Sequence, residues 1–331
     1  MDLSIIIPTY NVEDKIEECI KQINNQITEY TFEVILVDDG STDNTVKTIT
    51  KFLSKYVWLR VITQVNKKQA EARNTGLLNA RGKYVCFIDS DDSINENYIQ
   101  KMVDLIKDTD GQLGVCGIQK EWVNYSRDIQ IENTSVFENA DKKSRQKIIE
   151  LFLNKNHEMD VGLWNKIFIR DLIEKNHVTF KNKNFFEDML FVFEYLMVID
   201  MNKISTCQEV LYTLIKRKQA STTTRYDVHM DELSDTFFEI VKAVVEKNFE
   251  VKDSLTNVLE TLRVRLTIHK IHYHLLTDST WNIDKTKKMV KMNIKLNQIF
   301  RYNLDKKYFV SCIMLILVPQ LYSKLYIKRT E

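Results

Sequence analysis

The sequence predicts an α/β protein in which a mostly parallel sheet is flanked by helices and followed by a helical C-terminal region. Apolar runs of strand length alternate with helical apolar periods in the first part of the chain, as a doubly wound sheet requires. Acidic or turn-forming residues directly follow several of these runs. From about Tyr226, helical periods replace the strand-like runs, and one apolar stripe contains Leu233, Phe237, Ile240 and Val244.

Each element follows from the local sequence. The run from residue 3 to 7 is β-branched and ends at Pro8, which indicates a central strand that continues into a loop. Helices are predicted where apolar residues recur at helical spacing, and the first such stripe runs from Val12 to Ile23. The predicted order is strand 3–7, helix 12–26, strand 32–37, helix 46–53, strand 59–63, helix 69–80 and strand 84–88.

An acidic cluster follows the predicted strand 84–88 and contains Asp89, Asp91 and Asp92. Clustered carboxylates repel one another unless a cation is present, and Mg²⁺ or Mn²⁺ commonly shares such ligands with a substrate phosphate. An alternative is that Asp92 or Ser93 caps a helix beginning near residue 95. In a parallel sheet, residues 8–11, 38–41 and 89–92 all lie at the edge where ligands bind.

Four stretches carry a resemblance to a known family. They read SIIIPTYN at residues 4–11, VDDGSTD at 37–43, ARNTG at 72–76, and RGKY through DSDD at 81–92. In this order and spacing the chain resembles the inverting family 2 glycosyltransferases of bacterial polysaccharide type. The resemblance implies a GT-A fold, which is Rossmann-like, and it covers mainly residues 3 to 92, with sparser agreement to about residue 222.

The resemblance implies a nucleotide site in which Pro8, Tyr10 and Asp39 hold the base. The Asp39 carboxylate would accept a hydrogen from a uracil ring nitrogen, because the wrong base would leave a buried charge unpaired. A UDP-linked sugar is therefore the favoured donor. The full set of implied nucleotide contacts is Pro8, Tyr10, Asn11, Asp39, Gly40, Arg73, Asn74, Asp89 and Ser90.

Two of these positions have alternatives, and one further position departs from the family. Gly40 would let the chain turn close to the nucleotide, or it is an ordinary turn glycine. Arg73 resembles the base-contacting arginine, or it is a solvated charge on a helix. Where the family often has a glycine two residues after Asn66, this chain has Lys68, so we expect that the loop sits differently or that Lys68 reaches toward phosphate.

The acidic cluster resembles the D-x-D motif of the family. Asp89 matches the first aspartate, near the ribose or the metal, and Asp91 matches the direct ligand of Mn²⁺ or Mg²⁺. For Asp92 the alternatives are ordering the metal shell, contact with the acceptor sugar, and helix capping.

Inversion at the anomeric carbon requires a base that takes the proton of the acceptor hydroxyl. The resemblance assigns this role to Asp188 and an acceptor contact to Glu187. Apolar neighbours would raise the pKa of the Asp188 carboxyl and make it a better proton acceptor near neutral pH. The alternative is a helix N-terminus at which acids are favoured by the helix dipole.

Weaker matches extend the site toward the diphosphate or the acceptor. Trp164 and Lys166 are similar to a tryptophan, asparagine and lysine segment of the bacterial members, or they are a core tryptophan beside a surface lysine. Lys216, Lys218 and Ser221, in a segment that also contains Arg217, match a basic loop that would stabilise the charge of the leaving nucleoside diphosphate, or they form a solvated loop.

Composition and length limit the possible partners, cellular location and domain organisation of the chain. A net charge of +1 gives no nucleic-acid signal. Five scattered cysteines indicate reduced thiols in a cytosolic protein, and the strand at the very start leads us to expect no secretion signal. We expect a catalytic domain at 1–222, divided into a nucleotide-sugar half at about 1–120 and an acceptor half at about 121–222, and a helical region at 223–331.

The end of the chain is strongly basic. Residues 284–331 contain eleven Lys or Arg against three acids, a net charge of +8, and they surround an apolar run at 309–318. That run is too short to span a bilayer, which needs about 20 apolar residues. Its basic and aromatic flanks suit an interfacial anchor on an anionic cytoplasmic membrane surface, and a buried helix or a homodimer contact are the alternatives.

The sequence thus predicts a metal-dependent glycosyltransferase of the hexosyl or N-acetylhexosaminyl type. It would move a sugar to a saccharide, lipid-linked or protein-linked acceptor during synthesis of a capsule, an exopolysaccharide or a glycoconjugate. A catalytically silent nucleotide-sugar-binding scaffold is the alternative. A nucleotidyltransferase is disfavoured because the glycine-rich loop with Arg and Lys expected near the N-terminus is absent.

Overall fold

The structure is a computed structural model that describes residues 1–123, 128–139, 144–155, 157–181, 186–217, 229–250 and 253–330. These residues belong to two compact units. The first comprises Met1–Ile149 with His157–Gln219, and the second comprises Glu150–Asn156 with Ala220–Glu331. The boundary predicted at residue 222 lies outside the described residues.

A mixed sheet is the framework of the first unit. Its described strands are β1 (Leu3–Thr9), β2 (Phe32–Asp38), β3 (Leu59–Thr63), β4 (Tyr84–Phe87), β5 (Ser93–Ile94), β6 (Leu113–Val123), β7 (Gln130–Glu132), β8 (Lys166–Ile169) and β9 (Ile204–Arg217). Their spatial order is β3-β2-β1-β4-β8-β6-β9-β5, and β7 pairs with β6. The sheet is parallel from β3 to β4, as predicted, and mixed beyond β4.

The register of the parallel strands brings three loops to one edge. Thr9 pairs with Asp38, Asp38 pairs with Thr63, and Phe87 pairs with Ile6. The residues that follow β1, β2 and β4 therefore emerge at the same edge. β1 lies between β2 and β4 and is buried along its whole length, which explains its continuous β-branched sequence.

The strand β5 corrects one interpretation of the acidic cluster. Ser93 pairs with Thr213 of β9, and the next helix begins only at Tyr98. Asp92 and Ser93 therefore do not cap a helix, and that alternative is wrong. The pairing instead places the acidic cluster beside the end of β9.

Helices cover the sheet and form the second unit. They are α1 (Ile16–Asn24), α2 (Thr45–Leu53), α3 (Gln69–Asn79), α4 (Tyr98–Lys107), α5 (Val136–Asn139), α6 (Arg145–Lys155), α7 (Glu158–Val161), α8 (Arg170–Lys175), α9 (Glu187–Leu196), α10 (Met230–Asn248), α11 (Asp253–Thr277), α12 (Ile283–Asn293), α13 (Lys306–Leu317) and α14 (Pro319–Thr330). The helical C-terminal region is confirmed.

The core of the second unit forms around the long helix α11. Val264, Ile268 and Ile271 of this helix are buried against Cys312 of α13 and Tyr322 of α14. None of the helices in the described ranges combines the length and the apolar character needed to cross a membrane.

Candidate functional site

Arg73 connects residues that are far apart in the sequence. It lies on α3 with a side chain only 1% exposed, and its guanidinium donates to Asp188 Oδ1 at 2.6 Å and to Asp89 Oδ1 at 3.0 Å. A longer contact of 3.4 Å reaches Glu187 Oε1. The predicted alternative of a solvated helix charge is therefore wrong, because Arg73 is a buried cation that joins the acidic cluster to the acid pair.

The acid pair occupies the first turn of α9. Burial raises the pKa of Asp188 to about 7, the Arg73 guanidinium opposes that rise, and the nearby Glu187 and Asp89 carboxylates add to it. Burial also raises the pKa of Glu187. The position of both acids in the first turn of α9 agrees with the alternative that the helix dipole favours acids there. The dipole alone does not explain why both acids also contact the buried Arg73. Asp188 can therefore exchange a proton near neutral pH.

Asp91 and Asp92 lie in a cluster of carboxylates, with Arg217 as a cationic partner of Asp91. Burial, followed by repulsion from Asp89, raises the pKa of Asp91 and that of Asp92. The Asp91 side chain remains 45% exposed, and its Oδ2 accepts a hydrogen bond from Arg217 Nη1 at 3.0 Å. The cluster is thus open on the side of Asp91.

Tyr212 of β9 fixes the other side of the cluster. Its hydroxyl donates to Asp92 Oδ2 at 2.9 Å and accepts from the Asp89 backbone N–H at 3.1 Å. The Ile215 N–H donates to Asp92 Oδ1 at 2.9 Å, so β9 holds both carboxylate oxygens of Asp92. Trp164 is buried and stacks on the Tyr212 ring, with centroids 5.4 Å apart.

The predicted base-binding residues lie in the loops after β1 and β2. Asp39 is buried, and its carboxylate accepts hydrogen bonds from Gln64 Nε2 and from the Lys67 and Lys68 N–H groups at 2.7 to 2.8 Å. It therefore also holds the loop that enters α3. Pro8 is within β1, while Tyr10 is exposed. Their contacts with a base stay predictions.

Two loop residues explain why these segments approach closely. Gly40 has a φ of +75°, and a Cβ there would lie 3.0 Å from the Asn66 backbone nitrogen, so the turn needs glycine. The Asn11 side chain, at a residue with a φ of 52°, accepts a hydrogen bond from the Thr42 N–H at 2.8 Å and joins the loop after β1 to the loop after β2.

Lys68 lies in the loop that enters α3, where the family often has glycine. It has a φ of 76°, a conformation that favours glycine, and its side chain is exposed.

Lys166 requires a correction. It is fully buried, and its ammonium donates to the Met159 and Gly162 carbonyls at 2.7 Å and to Asn165 Oδ1 at 3.0 Å. Burial lowers the pKa of Lys166 to about 7. Neither the predicted contact with diphosphate or acceptor nor the alternative of a surface lysine agrees with this placement, since all three donors are used inside the unit.

Other predicted contacts lie at the margin of the site. Lys216 forms an ion pair with Glu158. The Asn74 side chain exchanges hydrogen bonds with the Phe180 backbone at 2.8 and 3.0 Å, and Ser90 is buried beside the acids. Lys218 and Ser221 lie outside the described residues. The roles of these residues in binding stay predictions.

The predicted site residues did not include Tyr212, and the sequence indicated Arg217 only as a member of the basic loop. Adjacent side chains in a β-strand point to opposite faces of the sheet. A sequence-based prediction of one strand over residues 204–217 would therefore have placed Arg217 on the opposite face from Lys216. The role of Tyr212 depends on the pairing of β5 with β9, which no local pattern in the sequence reveals.

Comparison with known proteins agrees with this architecture. Residues 4–176 match the family model described as glycosyl transferase family 2. A cholesterol galactosyltransferase from Borreliella burgdorferi is 27% identical over 241 residues, which cover 70% of this chain and 65% of that protein. The chain therefore spans less than two thirds of that relative's length.

Solved structures show the same fold. Residues 1–349 of TarS from S. aureus, in complex with UDP-GlcNAc, align with a TM-score of 0.62 and 21% identity, covering 100% of this chain and 89% of that chain. The mannosyltransferase PcManGT from Pyrobaculum calidifontis, in complex with GDP-Man and Mn²⁺, aligns with a TM-score of 0.51 and 15% identity, covering 99% and 86%. The predicted fold class is confirmed.

Proposed function

Because the chain belongs to glycosyl transferase family 2, we propose that it moves a sugar, with inversion, from a UDP-linked donor to a hydroxyl of a saccharide acceptor. The strongest support for this proposal is that Arg73 forms ion pairs with both Asp89 and Asp188. These ion pairs bring the candidate donor-side acid and the candidate base to one guanidinium. The acceptor is free, lipid-linked or protein-linked, and the sugar is a hexose or an N-acetylhexosamine.

The loops after β1 and β2 form the donor side of the proposal. Asp39 retains oxygen lone pairs beyond the hydrogen bonds that it accepts, because a carboxylate offers about four acceptor sites. Uracil presents a ring N–H to such an acceptor. The UDP-GlcNAc complex of the structural neighbour TarS supports a UDP-linked donor.

Mn²⁺ or Mg²⁺ fits the acidic cluster. Repulsion from Asp89 adds to the raised pKa values of Asp91 and Asp92, and the carboxylate of Asp91 is partly exposed beside Arg217. The described residues contain no group of three His, Cys, Asp or Glu arranged as a complete metal site. A magnesium-type site commonly uses one or two carboxylates together with substrate phosphates, so Asp91 with Asp89 would suffice. The bound cation would neutralise charge on the diphosphate.

Asp188 would act as the base of a direct displacement. The acceptor oxygen forms a bond to the anomeric carbon as the bond to the diphosphate oxygen breaks, and the hydroxyl proton passes to the Asp188 carboxylate. Arg73 keeps that carboxylate oriented at 2.6 Å. Glu187 would contact the acceptor. We place the reaction in the cytoplasm, in synthesis of a capsule, an exopolysaccharide or a glycoconjugate.

Calorimetric titration with UDP and GDP, each with Mn²⁺ and with a chelator, tests the donor site. We expect metal-dependent binding of UDP in preference to GDP. Asp91→Asn should weaken metal-dependent UDP binding by about tenfold or more, since a charged ligand becomes neutral. Failure of the folded wild-type protein to bind either nucleotide would contradict the proposal.

Asp171→Asn is the matched control for that variant. Asp171 is an exposed acid in the first turn of α8, and it follows Ile169, which pairs with the start of β4 rather than with its carboxyl end. The control makes the same chemical change at the opposite edge of the sheet. It should bind UDP as the wild type does.

Tyr212→Phe should weaken metal-dependent UDP binding, because Asp92 and the Asp89 N–H both lose a partner. We expect a decrease of several-fold, comparable to the ~1 kcal/mol of a typical hydrogen bond. Tyr98→Phe is the control, since Tyr98 is equally buried and its hydroxyl donates to the Trp164 carbonyl instead. Equal UDP affinities of the two variants, measured by calorimetry, would contradict a role for Tyr212 in positioning the acids.

A further inference from the structure

The two last helices each bury one face. Ser311, Cys312 and Leu315 of α13 are buried in the second unit, as is Tyr322 of α14. The Tyr322 hydroxyl forms a hydrogen bond of 2.6 Å with His272 Nε2 on α11. These contacts fix which face of each helix points inward. The opposite faces are therefore exposed by the packing of the unit itself.

The exposed faces are apolar and basic. On α14, Leu321, Lys324, Leu325 and Lys328 recur at helical spacing, and the two leucines are about half exposed, at 51% and 50%. On α13, Val310 and Leu317 lie two turns apart on one face and are more than half exposed. We name these six residues the α13–α14 surface. Exposed aliphatic side chains concentrated in this way are typical of an interaction site.

Charge distinguishes the occupants that this surface could accept. Residues 306–330 contain five Lys or Arg and no Asp or Glu. Two copies of the chain meeting through this surface would bring like charges together, which costs free energy. An anionic lipid surface supplies negative charge for the lysines and an apolar layer for the leucines and valine.

We infer that the α13–α14 surface binds the surface of an anionic phospholipid bilayer. Leu321, Leu325 and Leu317 insert between the lipid headgroups, and Lys324 and Lys328 contact lipid phosphates. The chain lies on the membrane at this surface. The inference does not depend on the donor site, and it would bring the protein to lipid-linked acceptors.

Flotation of the full chain with lipid vesicles tests the inference. Vesicles of phosphatidylcholine alone are compared with vesicles that also contain phosphatidylglycerol. We expect retention on the anionic vesicles, little on the neutral ones, and release at high salt. Leu321→Asn with Leu325→Asn, and separately Lys324→Gln with Lys328→Gln, should each reduce the bound fraction by about tenfold.

Matched controls distinguish vesicle binding through the α13–α14 surface from binding through positive charge or exposed leucines elsewhere on the chain. Lys287→Gln with Lys288→Gln removes the same charge from the exposed side of α12, and Leu78→Asn replaces an exposed leucine on α3. Both controls should bind vesicles as the wild type does. UDP calorimetry on every variant reports folding and the donor site independently of lipid binding.

Three outcomes would overturn the inference. One is equal retention of the wild type on neutral and anionic vesicles, or none on either. Another is an equal loss of vesicle binding in the α12 control. The third is a stable dimer, detected by light scattering, that the Leu321 and Leu325 changes dissociate while vesicle binding is unaffected, since the surface would then be an interface between copies.

Discussion

Replacing Asp188 by asparagine is expected to abolish sugar transfer while leaving UDP binding close to that of the wild type. Asparagine preserves the size of the side chain but cannot accept the proton of the attacking hydroxyl. The loss of a general base typically lowers the rate by about 10²- to 10⁴-fold. Steady-state transfer rates, with UDP calorimetry on the same samples, measure both halves of this expectation.

The pH dependence of the rate provides a second test of Asp188. Its pKa is raised to about 7, so the carboxyl is increasingly protonated as the pH falls below that value and cannot act as a base. The wild-type rate should therefore decline toward acid, and the residual rate of Asp188→Asn should lack that dependence. Glu187→Gln is the control, since Glu187 shares the helix turn and the Arg73 contact. It should weaken acceptor binding more than the maximal rate. Transfer by Asp188→Asn at the wild-type rate would refute the assignment.

Arg73→Met is expected to cause the largest loss of stability. Arg73 is 1% exposed, and its removal leaves Asp89, Glu187 and Asp188 without their shared cation. Breaking a buried ion pair by removing one partner typically costs about 3–5 kcal/mol. Urea unfolding, with the free energy extrapolated to water, measures this loss.

The loss should depend on pH in a defined direction. Without Arg73, the pKa values of Glu187 and Asp188 in the folded protein rise further above their unfolded values, because the guanidinium that opposes the rise is gone. The folded state then binds protons more tightly, so its stability falls as pH rises from about 4 through the raised pKa values. Arg73→Met should be less impaired near pH 5 than near pH 8.

Lys203→Met serves as a control for the loss of a cation. Lys203 pairs with Asp110 at the surface, and such exposed pairs contribute about 0–1 kcal/mol. If Arg73→Met lowered the free energy of unfolding no more than Lys203→Met does, the role of Arg73 as the cation that holds the acids together would be contradicted.

The parallel half of the fold was predictable because its signals are local. The β-branched run before Pro8 and the acids after β2 and β4 define strands and loops within short windows, and the register of β1, β2 and β4 confirms that their ends share an edge. The two-residue strand β5 is too short for any period. For that reason the residues around Asp92 were equally compatible with a helix cap.

Buried charges were the least predictable part of the site. A lysine or arginine is usually exposed, so Arg73 and Lys166 gave no local sign that both are buried. The partners of Arg73 lie up to 115 residues away, and a fold must bring them together before the burial makes physical sense. Asp188 was identified through resemblance to a family, whereas its contact with Arg73 came from the structure.

The most direct test of a displacement in which Asp188 is the base is the anomeric configuration of the first sugar product. A UDP-sugar that binds in calorimetry, such as α-linked UDP-GlcNAc, is incubated with the protein without a saccharide acceptor, so that water takes the place of the acceptor hydroxyl and UDP leaves. The hydrolysis is followed by proton NMR from the earliest times, before the released sugar mutarotates. We predict that the β anomer appears first with the wild type and that neither anomer appears with Asp188→Asn. Initial appearance of the α anomer would contradict inversion and, with it, the proposed role of Asp188.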